Sequence, residues 1–160
     1  MLLGFKKQFA AYVEEGSKTH TIRAAAKRIP KIGEGCHCYT DSRRKTMRLL
    51  GRWICTRVET VSITRVLNPK APLWLAIEGA LLSPDETNAF FLRDGFRDEN
   101  GETFSYIWQA AEFWERTHRL IEGTTFYGYV IHWDYSQRAA TPGRRKRTKA
   151  ESKLPVKPSR

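Results

Sequence analysis

Cysteine is scarce in this chain: Cys36, Cys38 and Cys55 are all there is in 160 residues. An odd, sparse set implies no disulfide framework and points to a reducing cytosol. Long apolar runs are missing too. None approaches the roughly 20 residues that span a bilayer, so no membrane partner is expected. The opening Met1-Leu2-Leu3-Gly4-Phe5 meets Lys6 and Lys7 too soon for a signal peptide, which leaves a cytoplasmic location as the expectation. Acidic residues are outnumbered, 17 Asp+Glu against 28 Lys+Arg, for a net charge of +11. That excess suggests an anionic partner such as nucleic acid. What is present excludes a chain disordered throughout: 41% of residues are hydrophobic and 12% aromatic. The length suits one domain, with or without a tail.

The charge is unevenly placed. From Ser136 to Arg160 nine basic residues, among them Arg144, Arg145, Lys146 and Arg147, face the single acid Glu151, and no aromatic occurs. Such a segment cannot bury enough apolar surface to offset its ordering entropy, so residues 136–160 read as a disordered basic tail and 1–135 as the domain. The Arg144–Arg147 string resembles a nucleic-acid arm or a localisation signal; a solvated extension with general affinity for polyanions explains it as well. Within the domain, residues 1–70 carry 15 basic and 5 acidic side chains, while residues 71–135 carry 4 and 11.

Periodicity gives an α+β reading. Phe5, Phe9, Tyr12 and Val13 recur at helical spacing, predicting a helix over Phe5–Glu15 that ends at Gly16. Thr19–Ile22 reads as a short extended segment and Ala24–Glu34 as an exposed basic loop. Cys36–Thr40 and Met47–Val66 are rich in β-formers, with a polar turn over Asp41–Lys45 between them and a bulge or bend at Gly51. Trp74–Leu82 resumes the strand pattern. Ser83-Pro84-Asp85-Glu86 combines a serine cap, proline at the first helical position and glutamate three residues after the cap, predicting a helix to about Arg93. A third helix fits Thr103–Thr117 and a closing strand fits Thr125–Tyr135. Strands interleaved with about three helices, without βαβ regularity, suggest a mixed barrel-like domain.

The densest polar segment is Gly16-Ser17-Lys18-Thr19-His20-Thr21-Ile22-Arg23. Strand alternation would put Thr19, Thr21 and Arg23 on one face and turn His20 away towards solvent. A lysine beside a hydroxyl can act as a base where burial or nearby cations lower its pKa. Arg23 and the loop cations Lys27, Arg28 and Lys31 could hold a phosphate. The plainer alternative is a helix C-terminus followed by a solvated edge strand.

Gly-x-Lys-Thr-x-Thr-Ile-Arg after an N-terminal helix resembles the signature of the ASCH domain, a small β-barrel related to PUA RNA-binding domains. Pro30-Lys31-Ile32-Gly33-Glu34, the strand pair from Cys36 to Val58, Phe91-Leu92-Arg93-Asp94-Gly95-Phe96 and Phe126–Trp133 resemble further steps of that family in the expected order. The resemblance covers about residues 2–134 and implies a PUA-like mixed β-barrel. Small bacterial members are amidohydrolases that remove the acetyl group from N4-acetylcytidine; others bind RNA or are linked to ribonuclease activity. Carried over by position, the resemblance implies Lys18, Thr21 and Asp94 as the catalytic residues, with Thr21 attacking, Lys18 accepting its proton and Asp94 either orienting the lysine or managing protons at the leaving amine.

Three functions are therefore expected in order: binding of RNA or of a nucleoside or nucleotide in a pocket framed by this segment, hydrolysis of N4-acetylcytidine, and ribonuclease action. The last is weakest because no paired catalytic histidines or acidic metal cluster are visible. No cofactor and no metal are expected. Cys36-His37-Cys38 lacks zinc spacing, and strand alternation separates His37 from the two cysteines, which suit a core better. Trp53 and Trp74 stand out as candidate exposed aromatics for stacking on a base.

Overall fold

A computed structural model describes residues 1–25, 28–42, 44–68, 70–97 and 105–138. Strand β1 (Leu2–Phe5) leads through a 3-10 turn (Lys7–Phe9) into α1 (Ala10–Glu15), then β2 (His20–Ala24) and β3 (Gly35–Thr40). The long β4 (Arg48–Arg65), β5 (Leu73–Ile77) and β6 (Ala80–Leu81) follow, then α2 (Pro84–Arg93), α3 (Ser105–His118) and β7 (Thr125–Arg138). The class is α+β, with three α-helices among the described residues and one mixed seven-stranded sheet.

The 18-residue β4 is the spine. Its first half pairs antiparallel with β3 and its second half with β5, while β7 runs antiparallel along its other edge. β1 joins β3 in parallel, and β2 adds to the far side of β7. The predicted barrel does not close: among the described residues no ladder joins β1 to β2. Their edges are bridged instead by a side chain, the Arg23 guanidinium donating to the Gly4 carbonyl at 2.6 Å.

Local chemistry explains the elements. The expected cap of α2 forms in full, with Ser83 Oγ accepting from the Glu86 amide and the Glu86 carboxylate accepting from the Ser83 amide. Gly51 lies where the β3–β4 register shifts, and a Cβ there would meet the Trp53 ring at 2.3 Å, so only glycine lets that ring lie over the bulge. The helix predicted over Phe5–Glu15 is broken up: Phe5 ends a strand, and the first turn is 3-10, as befits a helix start with no capping side chain. β7 runs three residues past the expected domain end, because the ladder with β4 continues to Trp53 opposite Arg138. The remaining residues of the expected tail, 139–160, lie outside the described residues.

The core runs between the curled sheet and the helices. Phe9, Phe91, Phe96 and Phe113 pack edge to face at 5.3–5.7 Å, an arrangement favoured by the ring quadrupoles. Cys36, Cys38 and Cys55 are fully buried, and burial pushes the Cys36 and Cys38 thiols up to about 12. Among the described residues no helix is long and apolar enough to cross a membrane.

Candidate functional site

Two helix ends deliver the central pair. Gly16 closes α1 in the left-handed conformation (φ 91°), and the Lys18 amide then donates to the Tyr12 carbonyl at 2.9 Å. The Tyr135 hydroxyl, 2.7 Å from both the Val13 and Lys18 carbonyls, fixes that turn from β7. At the other end Asp94 caps α2, followed by Gly95 at φ 90°. Gly95 donates to Leu92 O at 3.1 Å and Phe96 to Phe91 O at 3.0 Å, with the Phe91 and Phe96 rings in contact. This is a Schellman ending, and it turns the Asp94 side chain inward instead of leaving it on the helix surface.

Lys18 Nζ donates to Asp94 Oδ1 at 2.5 Å and also to the Asp94 carbonyl. The lysine is 1% exposed and the aspartate 5%. The ammonium lies 5.0 Å from the centre of the Phe9 ring, which adds a cation–π contact. Burial holds Lys18 below the ordinary lysine range, opposed by Asp94. Burial likewise raises the Asp94 carboxyl, opposed by Lys18. The two affinities move towards each other, so passing a proton between the groups demands less free energy than in water.

The pair opens on a cavity of about 180 Å³ in the seam between β1 and β2. Thr21 and Arg23 line it from β2, Gly4 and Phe5 from β1, and Phe113, Trp114, Thr117 and His118 from α3. The His118 ring stacks on Trp114 at 4.3 Å. Arg23 does not offer a free fork to a ligand. Its guanidinium is engaged by the Ile22 and Gly4 carbonyls and lies 5.0 Å over the Phe5 ring.

The structure therefore brings together Lys18, Thr21, Arg23 and Asp94 from the set expected on sequence. Thr19 is placed elsewhere: it precedes β2 and lines a groove on the other side of that strand, so alternation from Thr21 does not reach it. Arg28 and Lys31 are exposed and do not line the cavity; Glu34 holds Arg28 at 2.5 Å and accepts from the Lys31 amide. Lys27 and Arg144, Arg145, Lys146 and Arg147 lie outside the described residues. His20, expected in solvent, is 1% exposed, because α2 covers the face of β2 that alternation left to water. Of the two candidate stacking tryptophans, Trp53 is buried and Trp74 exposed. Of the α3 side chains at the cavity, Phe113 and Trp114 belong to a larger aromatic set in which sequence does not separate a stacking platform from core, and Thr117 and His118 were missed, although 113, 114, 117 and 118 share a helix face. Cys36 and Cys38 do share one face of β3, and among the described residues no three His, Cys, Asp or Glu side chains are placed to hold a metal ion.

Comparison of the chain with known protein families, with curated proteins and with solved structures finds no match.

Proposed function

We propose that this protein is an ASCH-type, PUA-like domain that takes a pyrimidine base into the seam cavity and deacetylates N4-acetylcytidine there. The observation that carries the reading is the buried Lys18–Asp94 pair opening on a cavity that Thr21 also lines. The small hydrolases the chain resembles have glutamate where Asp94 stands, and the shorter aspartate still reaches the lysine. At about 180 Å³ the cavity falls below the roughly 300–1,000 Å³ of whole-ligand pockets, which suits one ring and its acyl group with the sugar outside.

Lys18 first gives its ammonium proton to Asp94, and the Thr21 hydroxyl then adds to the acetyl carbonyl carbon and passes its proton to the neutral amine so formed. The C–N bond then breaks, N4 of the base takes a proton from the Lys18–Asp94 pair, and the acetyl group is left as an ester on Thr21. Water, deprotonated by the same lysine, releases acetate and restores the threonine. Aromatic walls from Phe5, Phe9, Phe113 and Trp114 exclude competing solvent and offer faces to a base.

Incubation of the purified protein with N4-acetylcytidine, followed by chromatography of cytidine and acetate, tests this. Turnover lost in both Lys18→Ala and Thr21→Val is the expected result; absence of turnover at high enzyme concentration removes the hydrolase. The same aromatic walls favour a second reading, a cavity that holds an RNA base without chemistry. That reading requires RNA binding that survives deletion of residues 139–160 and weakens on Lys18→Ala; binding lost wholly with the deletion would leave only a polyanion arm.

A further inference from the structure

On the other side of β2 from the cavity lies a groove of about 340 Å³, lined by Thr19, His20, Arg57, Glu59, Arg93 and His132 among others. His20 stands between the two. Its Nε2 is 3.9 Å from Asp94 Oδ1 and has no hydrogen-bond partner among the described residues. Its ring packs between Phe90, 4.3 Å away, and His132, 5.3 Å away, the latter at the groove. His132 Nε2 is 2.6 Å from Glu59 Oε2, and Arg57 is 3.2 Å from the same oxygen. Glu59 holds both Arg57 and His132, and Arg93 lines the groove as well, so its lining is polar and open to water. The two histidines are not a ribonuclease pair either, since His20 is buried and cannot meet a phosphodiester.

The reaction proposed above creates a need for this chain. Hydrolysis of the acetamide yields acetic acid, which ionises at neutral pH, so each turnover releases one proton beside Lys18 and Asp94. That proton must leave the Lys18–Asp94 pair before the pair can serve the next turnover.

We propose that His20 is the proton exit of this site, linking Asp94 to the groove that His132 and Glu59 line. The inference rests on the hydrolase reading. Asp94 passes its proton to His20 Nε2 as Nδ1 releases its own to groove water, and Glu59 with His132 takes the proton from that water to bulk solvent. His20 changes tautomer and carries no net charge, and a turn of the ring between Phe90 and His132 returns the free nitrogen to Asp94 before the next turnover. The groups facing it favour that neutral course: Lys18 from the turn, Arg93 from α2, His132 from β7 and Arg57 from β4 all disfavour an imidazolium, and Asp94 and Glu59 are the only acids of this chain of contacts. Closing the 3.9 Å gap to Asp94 takes about 1 Å of movement or one bridging water.

Steady-state kinetics of His20→Gln and His132→Ala on N4-acetylcytidine test the exit. The expected result is a kcat lowered about 10²-fold in the first and about 10-fold in the second, with KM little changed. Imidazole-type buffers should restore His132→Ala in proportion to their basicity, a rescue that a packing role would not give. Unchanged kcat in both variants, or a loss in His132→Ala that no buffer repairs, would overturn the proposal. His132 is partly exposed, so its variant serves if His20→Gln does not fold. Should the wild type show no turnover, the hydrolase reading fails, and ¹⁵N NMR of the imidazoles decides the linkage separately. Asp94→Asn is expected to shift the His20 tautomer signals and the His132 titration; no change in either would overturn the linkage on its own.

Discussion

Lys18–Asp94 and Arg28–Glu34 are ion pairs with the same N–O separation of 2.5 Å, yet they sit in opposite surroundings. The side chains of the first are 1% and 7% exposed, those of the second 73% and 23%. In the exposed pair water screens the attraction, and neither partner gives up much hydration. In the buried pair the loss of hydration is the dominant influence on both groups, lowering the lysine's proton affinity and raising the aspartate's. Equal geometry therefore yields one ordinary surface contact and one pair whose proton affinities are drawn towards each other. Desolvation sets the two apart, and contact distance alone does not reveal it.

The largest break in this comparison is Lys18→Ala. It leaves a buried carboxylate without its cation and should destabilise the fold by about 3–5 kcal/mol, read as a lower denaturant midpoint at neutral pH. The double variant Lys18→Met/Asp94→Leu removes both charges at similar volume. It should recover most of that stability while remaining unable to turn over or bind N4-acetylcytidine. A double variant no more stable than Lys18→Ala would show that packing around the lysine, not its charge, sets the loss.

A smaller effect separates the regions by pH. Burial is the leading cause that lowers His20, His37, His118 and His132 below the ordinary histidine value, and for His20 the Lys18 ammonium adds to it. The unfolded chain takes up these protons near pH 6.5, whereas the folded protein resists them to lower pH. Their contribution to stability is thus complete above about pH 6.5 and is lost progressively as pH falls towards the lowered folded values. For His20, the most buried, the slope is at most about 1.4 kcal/mol per pH unit. Denaturation midpoints measured from pH 8 to 5 should fall on acidification, and less steeply in His20→Gln. Glu34 of the exposed pair is held below the usual carboxylate range, first by its hydrogen bond to the N-terminal ammonium, so its contribution is lost only at still lower pH.

The smallest effect belongs to Arg28→Ala, within about 1 kcal/mol and shrinking further in 1 M salt. A loss as large as that of Lys18→Ala would mean that exposure does not separate the two pairs.

Much of the fold was legible because its signals are local. The Ser83–Glu86 cap, glycine after α1 and α2, and the bulge at Gly51 each depend on a few neighbouring residues, and each forms where the sequence places it. Legibility failed where distant segments meet. Strand alternation assumes one wet face, and His20 broke that assumption because α2, some 70 residues on, covers its side of β2. Arg23 looked available for a phosphate because the carbonyl it holds, Gly4 O, belongs to a strand it does not pair with. The family resemblance implied Asp94 beside Lys18, but only the Schellman turn after α2 explains how a helix-terminal aspartate comes to be buried.

The unclosed edge between β1 and β2 has a consequence for where the site can yield. Elsewhere, widening the sheet breaks a row of backbone bonds, as along the β4–β7 ladder. Here the two walls of the cavity are tied chiefly by the reach of one arginine to one carbonyl. Parting these walls displaces that side-chain contact while every strand keeps its own neighbours, so the compliance of this edge lies with Arg23 and not with the ladders of the sheet.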